Sequence, residues 1–397
     1  MASAALLVLL VAAAGGLVTI AAQHLALWAH LRQAPLAPRR TPAISVLKPL
    51  CGVDDELEAN LASFAELDYP AYEVLLGVRS RRDPAWEVAR EAARRWPGRF
   101  RPVLQRGEPG LNPKVNQLVT LARAARHDVL VVSDSNVRVG RGYLAEIAAL
   151  LEDGAVGLVT HPIAGVGEAR LGSLLDHLHL AGSVAPGVVG AKRLAGRDIV
   201  VGKSMALRRA DLEALGGFEA VKDVLAEDYV LGRMIGDVLG KRVAVAHRPV
   251  LNVSAGRSLS EFAARHRRWA VLQRQAVGRT AYASLLLLNP VLLAVLAAAV
   301  ARTAEALAAL AAVCVAKAAL DGAAARALRP GGFRVAQLAM VPLKDLVFGW
   351  AWIYGLLRRD VEWRGTRLVV TAGTRIEAPR AGYELPGDEH GGAAALS

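Results

Sequence analysis

Four short stretches carry side chains whose types and spacing can do chemistry. Ser133-Asp134-Ser135-Asn136 follows an apolar run ending at Val132, and it sets Asp134 and Asn136 two residues apart. Oxygen side chains at i and i+2, on a loop leaving a strand, can both face one hard cation. Mg2+ or Mn2+ held that way keeps positions open for a diphosphate. The same residues are also ordinary turn formers. Asp83 precedes Pro84, the arrangement of a helix N-cap with proline at the first helical position, and a carboxylate there can also contact a nucleotide. Glu227 and Asp228 open a helical pattern that runs through Met234. Acids suit a helix N-terminus, and one of this pair could instead take a proton from an acceptor hydroxyl. Arg265-His266-Arg267-Arg268-Trp269 reads in two ways. It is either a basic helix on anionic headgroups with Trp269 at the interface, or a place where Arg265 or Arg268 meets a diphosphate while Trp269 walls an acceptor pocket.

The frame for these residues is legible in the pattern between them. Apolar runs of strand length at 44–47, 73–78, 128–132 and 156–159 alternate with helical patterns at 54–66, 84–95 and 114–125. That alternation predicts βαβ units and a mostly parallel, Rossmann-like sheet covered on both faces: an α/β domain over residues 42–258. Ligands of such sheets bind beyond the carboxyl ends of the strands, which is where Asp83 and Asp134 fall.

Composition places this domain at a membrane. Of 397 residues, 54% are hydrophobic and 21% charged, and the net charge is +12. With a mean hydropathy of +0.32, this excludes a disordered chain and a purely soluble one. Two distant cysteines, Cys51 and Cys314, exclude a disulfide scaffold and a zinc ribbon. Residues 3–22 carry no charge, no basic residue precedes them, and Arg32, Arg39 and Arg40 follow. A transmembrane anchor over 1–30 is expected, rather than a cleaved signal peptide, with the α/β domain cytoplasmic by the positive-inside rule. Residues 259–280 are expected to form the amphipathic interfacial helix and 281–357 the C-terminal membrane helices, three or four spans in all. The third apolar stretch of that block, 338–357, is interrupted by Lys344 and Asp345. The arginines before and after it both read as cytoplasmic, which a single crossing forbids. Residues 358–397 are expected to be a polar tail, disordered from 377 onward. The positive charge suits the anionic inner leaflet of the cell membrane. No recognition motif accompanies it, so nucleic acid is not expected as a partner.

Taken in order, these residues resemble a membrane-bound GT-A glycosyltransferase, and more closely a bacterial member of the ceramide glucosyltransferase family. That family has a lone Asp after the second strand, a D-x-x acid after a later strand, an E-D pair and a (Q/R)-x-x-R-W motif before C-terminal membrane helices. Asp83, Asp134, Glu227-Asp228 and Arg265-x-x-Arg268-Trp269 stand here in that order. Leu47-Lys48-Pro49-Leu50, Leu67-Asp68-Tyr69-Pro70, Asn112-Pro113-Lys114 and Glu362-Trp363-Arg364 extend the likeness from about 44 to 372. Two departures stand out. Arg79-Ser80-Arg81-Arg82 is basic where the family is more acidic or polar, and the third position of Asp134-Ser135-Asn136 is not an acid.

The resemblance implies a UDP-sugar donor, glucose foremost, and the hydroxyl of a membrane lipid, ceramide foremost, as acceptor. Asp83 and Lys114 would hold the uridine diphosphate, and Asp134, assisted by Asn136, would hold a divalent cation. Asp228 would be the general base with Glu227 beside it. Arg265, Arg268 and Trp269 would close over the leaving diphosphate and the acceptor, and His161 would lie near the acceptor. One base and no evident nucleophile predict a single inverting displacement giving a β-glycolipid. The rival readings are a related transferase acting on a hopanoid or diacylglycerol, a processive polysaccharide synthase, which few spans disfavour, and a non-catalytic nucleotide-sugar-binding membrane protein.

Overall fold

The computed structural model describes residues 2–363 and 366–377. Its centre is a seven-stranded sheet: β1 (Ile44–Pro49), β2 (Tyr72–Val78), β3 (Phe100–Leu104), β4 (Val129–Ser133), β6 (Val156–Thr160), β8 (Ser204–Arg208) and β9 (Arg242–Val245). The order across the sheet is β3-β2-β1-β4-β8-β6-β9. All neighbours run parallel except β8, which is antiparallel to both β4 and β6. Strands β2, β4 and β6 are buried along their whole length, as a sheet covered on both faces requires. One core layer packs Leu61, Phe64 and Ile147 against one face, and a second packs Leu118, Leu121 and Ile235 against the other. The α/β class with a mostly parallel sheet is thus what the chain adopts. The four expected strands coincide with β1, β2, β4 and β6. A smaller sheet of β5 (Val137–Arg138), β10 (Val250–Val253) and β7 (Ile163–Val166) lies beside the main one.

The single reversed strand has a consequence for the site. Antiparallel pairing sets Ser204, the first residue of β8, opposite Ser133, the last of β4. The residues that lead into β8, Gly202 and Lys203, therefore arrive at the edge where β4 delivers Asp134.

Among the described residues, three helices are long and apolar enough to cross a membrane, within Ala4–Leu31, Ala304–Leu328 and Val335–Leu357. A further pair, Arg279–Leu288 with Pro290–Ala301, is bent by 78°. The conflicting arginine signals around 338–357 have a geometric counterpart. Before this stretch, Arg329 bonds to the Gly165 carbonyl and the Glu168 carboxylate of the α/β domain. After it, Ile376 bonds to Asp223 of the same domain. Both ends therefore meet one side. Between them the helix Val341–Leu357 packs against the helix Leu259–Val277 and leaves Leu343, Leu346, Trp350, Ile353 and Leu357 exposed, one stripe at helical spacing. Lys344 and Asp345 point inward, where Lys344 reaches Asp321 and Asp345, each at 2.9 Å.

The expected polar tail from 358 is corrected in its first part. Residues 360–377 build a third sheet, β11 (Asp360–Trp363), β12 (Thr366–Val370) and β13 (Ile376–Glu377). Val361, Leu368, Val370 and Ile376 bury against Leu225 and Val271, and this alternation supplies the apolar face that a tail would lack. The expected disorder of 378–397, and Arg364 of the Glu362-Trp363-Arg364 motif, lie outside the described residues.

Candidate active site

Lys114 is delivered by a helix start that its neighbours specify. The Asn112 side chain accepts from the backbone N–H groups of Lys114 and Val115 at 3.0 and 3.2 Å, and Pro113 occupies the first turn of the helix Pro113–Ala124, where its missing N–H costs nothing. The Asn112 amide also donates to the Val224 carbonyl at 2.7 Å, tying this turn to the loop before Glu227.

Lys114 Nζ lies 2.9 Å from Asp134 Oδ1 and 2.8 Å from Glu227 Oε1. One ammonium thus joins the acid after β4 to the acidic pair that opens the helix Glu227–Asp237. Burial alone would lower the Lys114 ammonium, but Asp134 and Glu227 hold it above its ordinary range. Burial would likewise raise the Asp134 carboxyl, and Lys114 with Lys203 hold it well below the usual range. Asp228 behaves oppositely. Burial and the neighbouring Glu227 charge push its carboxyl up to about 6, the range in which a carboxylate acts as a base near neutral pH. Its Oδ2 accepts from the Gly202 N–H at 2.5 Å, and its Oδ1 from the Tyr229 N–H at 2.8 Å. A Cβ on Gly202 would stand 2.8 Å from that same Oδ2, so the close approach requires glycine.

The other expected residues fall around this centre at different distances. Asp83 Oδ1 accepts from Ala85 N and Gly52 N, each at 2.9 Å, so it both caps its helix and ties down the loop after β1. Asn136 stands beside Asp134, but its amide oxygen accepts from Lys203 Nζ at 2.7 Å and its amide nitrogen donates to Asn252 and Val253. That oxygen faces an ammonium, not an open cation position. His161 is buried at the end of β6, with Nδ1 2.9 Å from Ser204 Oγ and its ring against Tyr143. Burial lowers its ring to about 3, and it joins none of the carboxylates.

Arg265 is buried, 3.2 Å from the fully buried Asp176, with its guanidinium 4.5 Å over the Trp269 ring. His266 meets the other oxygen of Asp176 at 3.3 Å. Asp176 thus anchors the helix Leu259–Val277 to the α/β domain. The helix itself starts at a capping box formed by Ser258 and Glu261. Arg268 follows Arg265 by one turn and is part-buried.

Four residues at this centre are given no role by the sequence reading. Lys203 Nζ lies 3.1 Å from Asp134 Oδ2. Lys48 is fully buried, donating to the Asp134 carbonyl at 2.8 Å and lying 3.9 Å over the Phe64 ring. Burial brings its ammonium down to about 7 against the pull of Asp134. Gly202 and Asp176 complete the set. A lysine in the strand Ile44–Pro49, within the Leu47-Lys48-Pro49-Leu50 stretch, was the one available signal. Nothing local marks the others.

Among the described residues, no group of three or more His, Cys, Asp or Glu side chains could hold a metal ion. A single carboxylate still fits Mg2+ or Mn2+ when the substrate's phosphates supply most of the ligands. Asp134, with a quarter of its side chain exposed, would hold the ion only as the cation displaces Lys114 or Lys203 from its oxygens, 2.9 and 3.1 Å away.

The chain matches glycosyl transferase family 21 over residues 8–376. It is 30% identical over 243 residues to ceramide glucosyltransferase 1 of Caenorhabditis elegans, covering 58% of this chain and 50% of that protein. It is 31% identical over 198 residues to the ceramide glucosyltransferase of Komagataella phaffii, covering 44% of this chain and 39% of that protein. The matched stretch therefore spans half or less of these curated relatives. A solved mannosyltransferase from Pyrobaculum calidifontis, in complex with GDP-Man and Mn2+, superposes with a TM-score of 0.49 at 21% identity, over 89% of this chain and 99% of that one.

Proposed function

The chain belongs to glycosyl transferase family 21, and from that premise we propose that it transfers a hexose, glucose foremost, from a UDP-sugar to the hydroxyl of a ceramide-like membrane lipid. The observation that carries this reading is the Lys114 bridge between Asp134 and Glu227, 2.9 and 2.8 Å long. It sets the acid that would hold the diphosphate's cation next to an acidic pair in which Asp228 is raised to about 6.

In this reading Lys114 and Asp83 hold the uridine diphosphate. Asp134 holds a divalent cation, which when bound supplies positive charge to the departing diphosphate. Asp228 takes the proton of the acceptor hydroxyl as its oxygen bonds to the anomeric carbon. The bond from that carbon to the phosphate oxygen breaks, and UDP leaves with the electron pair. One displacement inverts the anomeric centre, so an α-linked donor gives a β-glycolipid. The helix that carries Arg265, Arg268 and Trp269 packs against the apolar helix Val341–Leu357, and in this reading a lipid hydroxyl enters from that side. Lipid mass spectrometry of cells with and without the protein, supplied with labelled UDP-sugars, tests the assignment. A new labelled monohexosyl ceramide supports it. A labelled hopanoid or diacylglycerol moves the acceptor, and no labelled lipid at all sinks the reading.

A further inference from the structure

Lys203 sits where a nucleoside diphosphate would lie in the reading above, yet no family pattern drew attention to it. It is 14% exposed in its side chain, and its Nζ is 3.1 Å from Asp134 Oδ2 and 2.7 Å from Asn136 Oδ1. Lys114 takes the other oxygen of the same carboxylate at 2.9 Å. Two ammonium groups thus flank one carboxylate at the carboxyl edge of the sheet, the region where ligands of such sheets bind. A lysine ammonium has three donors. Among the described residues Lys203 meets two acceptors, which leaves one N–H for a ligand.

The backbone gives this lysine a second connection. Gly202, its neighbour, donates to Asp228 at 2.5 Å, so the dipeptide Gly202-Lys203 reaches from the raised carboxyl to Asp134. Its place is fixed by the register of β8 on β4, Ser204 opposite Ser133. A cation held there already stands beside the place where negative charge arrives.

We propose that Lys203 is a second phosphate-binding lysine of this site, gripping with Lys114 the terminal phosphate of the nucleoside diphosphate as the sugar leaves. On donor binding its carboxylate partner is exchanged, wholly or in part, for a phosphate oxygen. This rests on the donor reading given above. It adds that a protein cation, and not only a bound ion, answers the charge of the leaving group.

The test is nucleotide binding by the purified full-length protein in nanodiscs, measured calorimetrically with UDP and with UMP at fixed Mg2+. Lys203→Met should weaken UDP binding by about tenfold, the scale of one charged hydrogen bond, while UMP, which lacks the terminal phosphate, changes less than about twofold. Lys203→Arg should restore most of the UDP affinity. Lys203→Gln, which keeps a donor for Asn136 without the charge, should behave as the Met variant, and it carries the test if Met does not fold. Equal loss for UDP and UMP would reduce Lys203 to a support for Asp134 and overturn the proposal, as would unchanged UDP affinity. A wild-type protein that binds neither nucleotide would instead sink the donor reading itself.

Discussion

The Gly202 N–H donates to Asp228 Oδ2 at 2.5 Å, and the space a Cβ would need on Gly202 is already taken by that carboxylate. The carboxyl is raised and yet held in one orientation by two backbone donors. Gly202→Ala should therefore leave the protein folded and displace Asp228, lowering kcat by about tenfold or more with a smaller change in nucleotide affinity. Steady-state kinetics with circular dichroism on the same sample would check this. A variant with wild-type kcat would separate Gly202 from the reaction.

Removing the base itself gives a larger effect. Asp228→Asn should cut transfer by about 10²–10⁴-fold while UDP still binds, since Lys114 and Asp134 are untouched. Nucleotide binding measured beside turnover distinguishes this from misfolding.

The pH profile follows from the same carboxyl. Asp228 must be ionised to accept a proton, so kcat/KM should rise about tenfold per pH unit below about 6 and level off above it. Stability runs the other way. A carboxyl raised from 3.8 to about 6 on folding binds its proton more tightly in the fold, so its contribution is full below 3.8 and lost as pH rises through 6. Activity lost at pH 5 should therefore return on readjustment to pH 7, and irreversible loss would count against the titration of Asp228.

The C-terminal sheet should matter although it is far from the motifs in sequence. Thr374 accepts from the Leu225 N–H at 2.9 Å, and Ile376 donates to the Asp223 carbonyl at 2.8 Å. Both act on the loop just before Glu227. Ile376, 4% exposed in a cluster with Leu225 and Val271, is the sharpest probe. Ile376→Asp should destabilise the fold by about 2–5 kcal/mol and lower transfer by loosening that loop. Limited proteolysis across 222–226 would report the loosening directly.

The buried ion pairs among the apolar helices offer a stability prediction. Lys317 and Lys344 share Asp321 at 2.5 and 2.9 Å, all three nearly free of solvent exposure. A Cβ on Gly182 would stand 2.3 Å from the Asp321 carboxyl carbon, so the cluster also abuts the α/β domain. Asp321→Asn leaves two buried ammoniums short of one charge and should cost about 3–5 kcal/mol. Thermal unfolding in detergent would show it as a lower midpoint, and an unchanged midpoint would remove the cluster from the fold's support.

The amino-acid sequence by itself determined four of the seven central strands and the identity of the acids. Mostly apolar runs marked β1, β2, β4 and β6, because a sheet covered on both faces buries its side chains. Asn112-Pro113 fixed a helix start because the cap and the proline act within one turn. Asp134, Glu227 and Asp228 were legible as loop and helix-start acids for the same local reason. The tertiary structure alone decided which groups surround them. Lys203 reaches Asp134 only because β8 runs against its neighbours, and Gly202 reaches Asp228 only because two loops close on one another. Arg265, which by type suits a diphosphate, is paired with Asp176 of another helix, and the short apolar alternation after 358 became a sheet only by finding Leu225 and Val271. Local periodicity encodes which face of an element is buried. It does not encode what lies across from that face, since this depends on strand order and on contacts between residues distant in the chain, and it is there that the charge environment of each acid is set.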